Sequence, residues 1–539
     1  MTRHMTLRDR VIRLSPVLLA VSVLIVYLPS LPGGYLNWDD PWLIENNPLL
    51  QRPTFASLSA VWADFSMKTR LSLGAEYLPV RDTSLWLESR LFGLHPQALR
   101  ITNLAIYITA TLLIRVMLIA TIAHRPAAEL AAWFFALHPV HVESVAWIAG
   151  RKDVLALIFV AAALAVHARG RPSPRWVVPA LLLVSHLSKS MTVIAVGLLA
   201  AQDLLMRRRP DVRLYGACLA VAIAALVVHL EVGESVKMVG DPVGGSRLSA
   251  VMTMGPVWLR YLGLLAWPGS LSLVQDVVVR NSWDVAAILG YAMLLLWVIL
   301  GAVLWRRRSE PFVLAAWLWF FVPLLPVSQI IFPLQNRMAD RYLLLSVLAP
   351  GVLFVLATRR WPRAAAAVLT TGIATLAVAS SFRAALFADS AAAFADATLK
   401  TKLSGVAPYQ LGQALEDQGD EEGAMLAYLE VLQRMIGPSE PARRATNNLA
   451  KLLARRGNLR GAEKALRRGR TLWPKDPQVL LNLAEVLARE GRHGEARRRF
   501  EQLLSEHPNY KVGRQAYQRH YGTPRSPRQV PLGTVETPH

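Results

Sequence analysis

Apolar runs of about 20 residues, the length that carries a helix across roughly 30 Å of hydrocarbon, recur through the first 384 or so residues of this 539-residue chain. They are Val11–Leu31, Ile101–Ile122, Ala127–Trp147, Val154–Ala168, Trp176–Met206, Val212–Val232, Val285–Trp305, Phe312–Phe332, Tyr342–Thr358 and Ala364–Ser381. Trp176–Met206 is too long for one crossing and is interrupted by SHLSKS, so it reads as two short helices meeting at Lys189, making eleven spans. The whole chain has 53% apolar residues and a mean hydropathy of +0.33, and with these runs its first part reads as all-α and polytopic.

The net charge of +22 points to membrane orientation rather than nucleic acid, because much of it falls in short clusters beside the spans. The clusters are Arg3, Arg8, Arg10 and Arg13; Arg169, Arg171 and Arg175; Arg207–Arg209 and Arg213; Arg306–Arg308; and Arg359, Arg360 and Arg363. Such clusters mark the cytoplasmic side. All fall there with eleven spans if Val251–Trp267, which carries Arg260, is re-entrant or lies along the interface. The N-terminus is then cytoplasmic, and the chain beyond Ser381 lies outside, at a bacterial inner membrane. The first span is followed by LPSLPGGYLNWDD without a small-x-small cleavage pattern and reads as an uncleaved anchor. A single cysteine, Cys218, excludes an internal disulfide framework.

Beyond Ser381 the hydropathy collapses and a 34-residue period takes over. It relates Leu449 to Leu483, Ala450 to Ala484, Gly457 to Gly491, Ala462 to Ala496 and Pro474 to Pro508. This is the tetratricopeptide period, with small residues at helix crossings and a proline after each second helix. A first copy matches at Gly412, Gly419, Ala424 and Tyr428. The chain thus divides into a membrane domain over 1–384, about three repeats over 385–521, and a proline-rich polar tail over 522–539 that reads as disordered.

Charge in the short outer loops is not required for spanning and marks function. Asp39 and Asp40 sit between Trp38 and Trp42, whose rings suit the interface; they read either as a turn with an Asp cap before Pro41 or as a base beside a structural acid. Within Glu76–Leu104, Leu85, Trp86, Leu87 and Leu91 alternate with Arg81, Asp82, Glu88 and Arg90 as on a surface helix, and Asn103 enters the next span. Pro139 breaks the third span after His138, opening a cavity near His138, His141 and Glu143; their spacing lacks a third-ligand pattern and calls for no metal. Arg151 and Lys152, before an Asp153 helix cap, lie on the side that orientation rules disfavour, as do Lys189 and Arg341; an anion accounts for them. Asp340 and Arg341 also fit a simple capping ion pair.

WDDPWLIENNP, YLPVRDTSLWLESRLFGLHPQALRITNL, ALHPVHVESVAWIAGRKDVLALIF, HLSKSMT and MADRYLLL, followed by repeats, resemble the transmembrane and tetratricopeptide-repeat-containing family of protein O-mannosyltransferases. The resemblance implies a C-type glycosyltransferase fold, a polyprenyl-phosphate-linked sugar donor and an acidic base in the first outer loop. Asp39 and Asp40 match the acidic pair; His138, His141, Glu143, Arg151, Lys152 and Asp153 match the third-helix motif; Lys189 and Arg341 match the remaining two. Arg100 and Tyr107 depart from it, standing where histidines are usual, and so do Leu345 and Ser346.

Cations that meet a departing lipid phosphate, and a carboxylate within reach of an acceptor hydroxyl, suffice for such a transfer. One base opposite the leaving group gives inversion, and the scheme calls for no cofactor. Arg151, Lys152, Lys189 and Arg341 are therefore expected at the phosphate and Asp39 as the base, with Asp40 fixing the loop by capping the turn at Pro41 or pairing with an arginine. The implied partners are the lipid-linked donor, an exported acceptor protein and membrane lipid. The competing class is a non-enzymatic scaffold or a lipid-linked oligosaccharide transporter; a transporter concentrates ionisable groups at mid-bilayer and often duplicates its halves, whereas here they cluster at one face.

Overall fold

The computed structural model describes residues 7–170, 174–236, 241–306, 311–435 and 437–522, without the side chains of residues 7–12 and 305. Arg3, Arg171, Arg307, Arg308 and the tail from residue 523 lie outside the described residues. Two compact units divide at residues 401 and 402. No strand occurs among the described residues.

The first unit begins with α1 (Leu7–Tyr27) and continues through four short helices of the first loop, α2 (Pro48–Gln51), α3 (Phe55–Ala63), α4 (Met67–Ser72) and α5 (Pro79–Phe92). Next come α6 (Pro96–Thr121), α7 (Arg125–Leu137), α8 (Val142–Ala146), α9 (Arg151–Arg169), α10 (Val177–His186), α11 (Ala195–Met206) and α12 (Val212–Ser235). It ends with α13 (Arg247–Ala266), α14 (Val285–Arg306), α15 (Phe312–Phe321), α16 (Leu348–Arg360), α17 (Pro362–Leu386) and α18 (Ser390–Lys400). Among the described residues, six stretches are long and apolar enough to cross a membrane: Arg13–Ser30, Pro96–Thr121, Val212–Ser235, Arg247–Ala266, Val285–Leu304 and Pro362–Leu386. Val177–His186, Ser190–Met206 and Phe312–Leu324 are shorter apolar helices.

Several expected spans differ in form. Val251–Trp267, expected as re-entrant or interfacial, belongs to the continuous 20-residue α13. Hydropathy registers Arg260 there as a penalty, but its guanidinium donates to Asp276 O at 2.6 Å and Gln275 Oε1 at 2.5 Å. Gly255 and Gly290 bring α13 against α14 so closely that a Cβ on Gly290 would lie 2.4 Å from the Gly255 carbonyl carbon. Small residues permit such backbone approach between helices in lipid. Ala127–Trp147 is broken at His138 and resumes as a 3₁₀ turn and the short α8, Phe312–Phe332 yields an α-helix only to Phe321, and Tyr342–Thr358 is α-helical only from Leu348, after a 3₁₀ turn.

The amphipathic helix of the first loop is turned over relative to a soluble surface helix. On α5, Arg81, Asp82, Glu88 and Ser89 are buried together with Leu85 and Trp86, while Leu87, Leu91 and Phe92 are exposed beside Arg90. Hydrocarbon or the headgroup layer, not water, suits that outer face. The unit boundary lies beyond the expected residue 384, because α18 stays with the first unit: Phe394 stacks on Trp38 with centroids 5.6 Å apart, and Lys400 Nζ donates to Leu271 O at 2.9 Å.

The second unit pairs α19 (Val406–Asp417) with α20 (Glu421–Arg434), α21 (Glu440–Arg455) with α22 (Leu459–Leu472) and α23 (Pro477–Arg489) with α24 (His493–Glu506), closed by α25 (Lys511–Tyr521). The turn inside each pair uses a left-handed glycine, Gly419, Gly457 or Gly491, with φ of +83°, +80° and +80°. Ala424, Ala462 and Ala496 are fully buried. Small side chains there let paired helices approach, as the repeat pattern requires.

Candidate active site

Pro139 ends α7 and leaves His138 with extended backbone angles. The Val140 N–H bonds to His138 Nδ1 at 3.2 Å, so the Nε2 that meets Leu265 O at 3.2 Å carries the proton. The break in the third span is thereby pinned to the end of α13. His141 is buried between Phe135 and Tyr107, with ring centroids 4.5 and 5.7 Å away, and both its ring nitrogens lack a hydrogen-bond partner. The two histidines support the loop from behind. After α8 the chain folds back at Gly150, where a Cβ would sit 2.7 Å from Ser144 O.

Arg151 and Lys152 come next, and they part company. Arg151 is wholly buried: Nε donates to Asn103 Oδ1 at 2.7 Å, Nη2 to Leu99 O at 2.8 Å, and Nη1 pairs with Glu88. Asn103 in turn donates to Trp147 O at 3.1 Å. Expected at the phosphate, Arg151 is instead a buried tie between α5, α6 and α9 with all three guanidinium nitrogens engaged. Lys152, one helical step on, faces the first loop and pairs with Glu76 at 2.7 Å. Glu76 is itself 3.4 Å from Arg81, which pairs with Asp82 at 2.7 Å. Burial pushes the Glu76 carboxyl up, but Lys152 and Arg81 outweigh it and hold it down at about 2.

Two further cations stand nearby. Lys189, at the break between α10 and α11, is buried and pairs with Asp153, which also accepts from Ser144 Oγ at 3.3 Å. Arg341 pairs with Glu143 through its side chain and donates its backbone N–H to the same carboxylate at 3.1 Å. Its guanidinium lies 5.4 Å from the Trp147 ring centroid. The alternative Asp340–Arg341 pair does not form: Asp340 accepts from Arg383 Nη2 at 2.7 Å, Gln275 Nε2 at 2.7 Å and Ser272 N at 2.6 Å. Burial raises the Asp340 carboxyl to about 6 even against Arg383. Asp153, Lys189 and Arg341 edge a narrow cleft whose walls become apolar at Leu157, Val160, Ile194 and Val327.

The adjacent aspartates also diverge. Asp40 is fully buried and accepts from Leu36 N and Ala149 N, both at 3.0 Å, so it ties the first loop to the third-helix turn. It makes no side-chain cap at Pro41, the role expected from the Asp-Pro pair. Arg100 reinforces that junction by donating to Ala146 O, Gly34 O and Phe387 O at 2.5, 2.6 and 2.8 Å. Asp39 is half-buried and within electrostatic range of Lys152, Arg341 and Glu76. Burial raises its carboxyl above the ordinary aspartate value, and the two cations pull against that shift.

Asp39, Lys152, Lys189, Arg341 and their carboxylate partners thus share one region, while Arg151, Asn103, Arg81, Asp340 and the histidines build its frame. Glu76, Glu88, Arg100 and Arg383 escaped identification as site residues in the sequence, because the partners that place them lie 43 to 287 residues away.

Asp40→Asn tests the junction. Burial raises the Asp40 carboxyl to about 7. The folded chain therefore holds this proton at pH values where an unfolded chain has released it, and the group costs stability increasingly as pH rises from about 4 to about 7. An asparagine removes that slope but offers one acceptor oxygen to two N–H donors. The expected result is a flatter stability profile over that window and a loss of about 1–3 kcal/mol in acid, read by thermal unfolding in detergent.

Comparison with known proteins adds two findings. Residues 447–511 match the family model described as tetratricopeptide repeat. The protein O-mannosyl-transferase F38B6.6 of Caenorhabditis elegans is 28% identical over 355 residues, which are 63% of this chain and 50% of that protein. Protein O-mannosyl-transferase TMTC1 of Mus musculus is 36% identical over 152 residues, 27% of this chain and 16% of that protein; its Homo sapiens counterpart is 26% identical over 332 residues, 56% and 36%. The chain spans at most about half the length of these relatives. With apolar helices, polar loop motifs and a repeat module in this order, the chain is similar to these protein O-mannosyl-transferases.

Proposed function

We propose that this chain is a membrane glycosyltransferase that moves a hexose from a polyprenyl-phosphate-linked donor to hydroxyl groups of an exported protein, with inversion at the sugar carbon. The observation that carries the reading is the placement of Asp39 in the combined field of Lys152 and Arg341, beside a cleft that turns from charged to apolar. The donor phosphate lies among Lys152, Lys189 and Arg341, and the isoprenoid runs along the apolar walls. Asp39, its carboxyl raised by burial, accepts the hydroxyl proton as the acceptor oxygen attacks the sugar carbon. The bond from that carbon to the phosphate oxygen breaks, and the cations meet the charge released.

Each cation has a carboxylate partner, Glu76, Asp153 or Glu143. This neutrality lets three cations lie close together, and the phosphate enters as an additional anion. Arg151 has no part at the phosphate. Exported acceptors require this site to face the extracytoplasmic side, where they pass. Mass spectrometry of envelope proteins from cells with and without the chain tests the proposal. Serine or threonine peptides should lose a hexose in its absence, and unchanged hexose occupancy would refute it.

A further inference from the structure

The repeat unit separates its charges. On the first helices of the pairs, Arg443 is neutralised by Glu440 and Asp476, Arg444 by Glu440, Lys451 by Glu416, and Arg456 by Glu421. The second helices differ. On α22, Arg460, Lys464 and Arg468 fall four residues apart, so they form one stripe along the helix, and all three are exposed. Arg470 of the same helix and Arg498 of α24 extend the basic surface. Among the described residues none of these five is in an ion pair, although Glu463 and Glu495 lie on the same helices, committed to Arg467 and Arg492. Burial, then the nearby Arg470 and Arg467, lower the Arg499 guanidinium, a further sign of uncompensated positive charge.

The geometry of the pairs places this surface on the outside of the array. The first helices α19, α21 and α23 pack on one another in succession, while α20, α22 and α24 stand further apart, so the second helices form the convex face. The inner face is polar and self-satisfied, with Asn482 donating to Asn447 Oδ1 at 2.8 Å and Gln478 to Asn482 Oδ1 at 2.9 Å.

We propose that the basic face of α22 and α24 docks on the anionic headgroups of the membrane. A lipid surface is favoured over an acidic polypeptide for two reasons. The face is an open ridge of exposed side chains. The unit also joins the membrane-spanning unit directly at residue 402, so a headgroup layer is present at high effective concentration. Several arginines and lysines near one anionic surface attract additively, and salt screens the attraction. The docking holds whichever reaction the first unit performs and requires no particular sidedness.

Hydrogen exchange on the full chain in lipid nanodiscs tests it. Amides of α22 and α24 should exchange roughly tenfold more slowly in discs containing phosphatidylglycerol than in phosphatidylcholine discs. The difference should vanish at high salt and in the triple variant Arg460→Gln/Lys464→Gln/Arg468→Gln. Exchange within α23 serves as the control that the variant remains folded. Equal exchange in the two lipids would overturn the proposal. So would slowing by polyglutamate in phosphatidylcholine discs without any slowing by phosphatidylglycerol, which would give the face to an acidic protein.

Discussion

Asp39→Asn should lower hexose transfer by about 100- to 10,000-fold, the usual contribution of a general base, in a protein that still folds and still binds the lipid donor. The residue is half-buried and the loop junction is held by Asp40, so the amide leaves the junction's bonds intact. Because burial raises this carboxyl, the transfer rate of the unmodified protein should climb with pH through an inflection above the ordinary aspartate value of about 3.9. The base must be ionised, so activity is lost as pH falls through that inflection. Asp40→Asn should retain the acid limb; Asp39→Asn should lose it along with the rate. Near-normal transfer by Asp39→Asn, with transfer abolished in folded Asp40→Asn, would reverse the assignment.

The second large effect concerns Arg341. Deleting it alone strands Glu143, which is fully buried, as an unpaired charge, at a cost of about 3–5 kcal/mol. Lost activity in Arg341→Ala would therefore report folding as much as donor binding. The pair variant Arg341→Gln/Glu143→Gln removes both charges and keeps two hydrogen-bonding side chains at the site. It should purify as a folded protein and use the lipid-linked donor about 10- to 100-fold less efficiently, the worth of one charge-assisted hydrogen bond to phosphate. The loss should appear in the dependence of rate on donor, with the dependence on acceptor unchanged. Wild-type donor dependence in the double variant would remove Arg341 from the phosphate site.

Lys152, Lys189 and Arg341 stood out in the sequence because they lie apart from the arginine clusters beside the spans, a signal that needs no tertiary information. Arg151 shares that signal, yet its guanidinium is taken up within the fold. Adjacent residues on a helix point about 100° apart, and what distinguishes Arg151 from Lys152 is a partner, Glu88, 63 positions away. The same limit applies to α5, where alternation announces two faces but cannot say that Arg81, Asp82 and Glu88 turn inward beside Leu85 and Trp86. Asp40 illustrates a subtler failure. The Asp-Pro pair signals a local turn, yet its carboxylate is taken by Leu36 N and by Ala149 N, 109 residues on. Hydropathy weighs Arg260 in α13 as a charge in lipid and cannot register the Gly255–Gly290 approach. The repeats were the most legible part, since each helix pair is specified by contacts within about 34 residues.

The most direct measurement is transfer by the purified chain in a lipid bilayer, supplied with a polyprenyl-phosphate-linked hexose and serine- or threonine-containing acceptor peptides. Hexose should appear on hydroxyl side chains with the anomeric configuration inverted, in proportion to the lipid-linked donor, and not with Asp39→Asn. Hexose transfer at the same rate by Asp39→Asn would contradict the role given to that carboxylate. A folded wild-type protein that binds the donor and transfers nothing to any hydroxyl acceptor would contradict the glycosyltransferase itself.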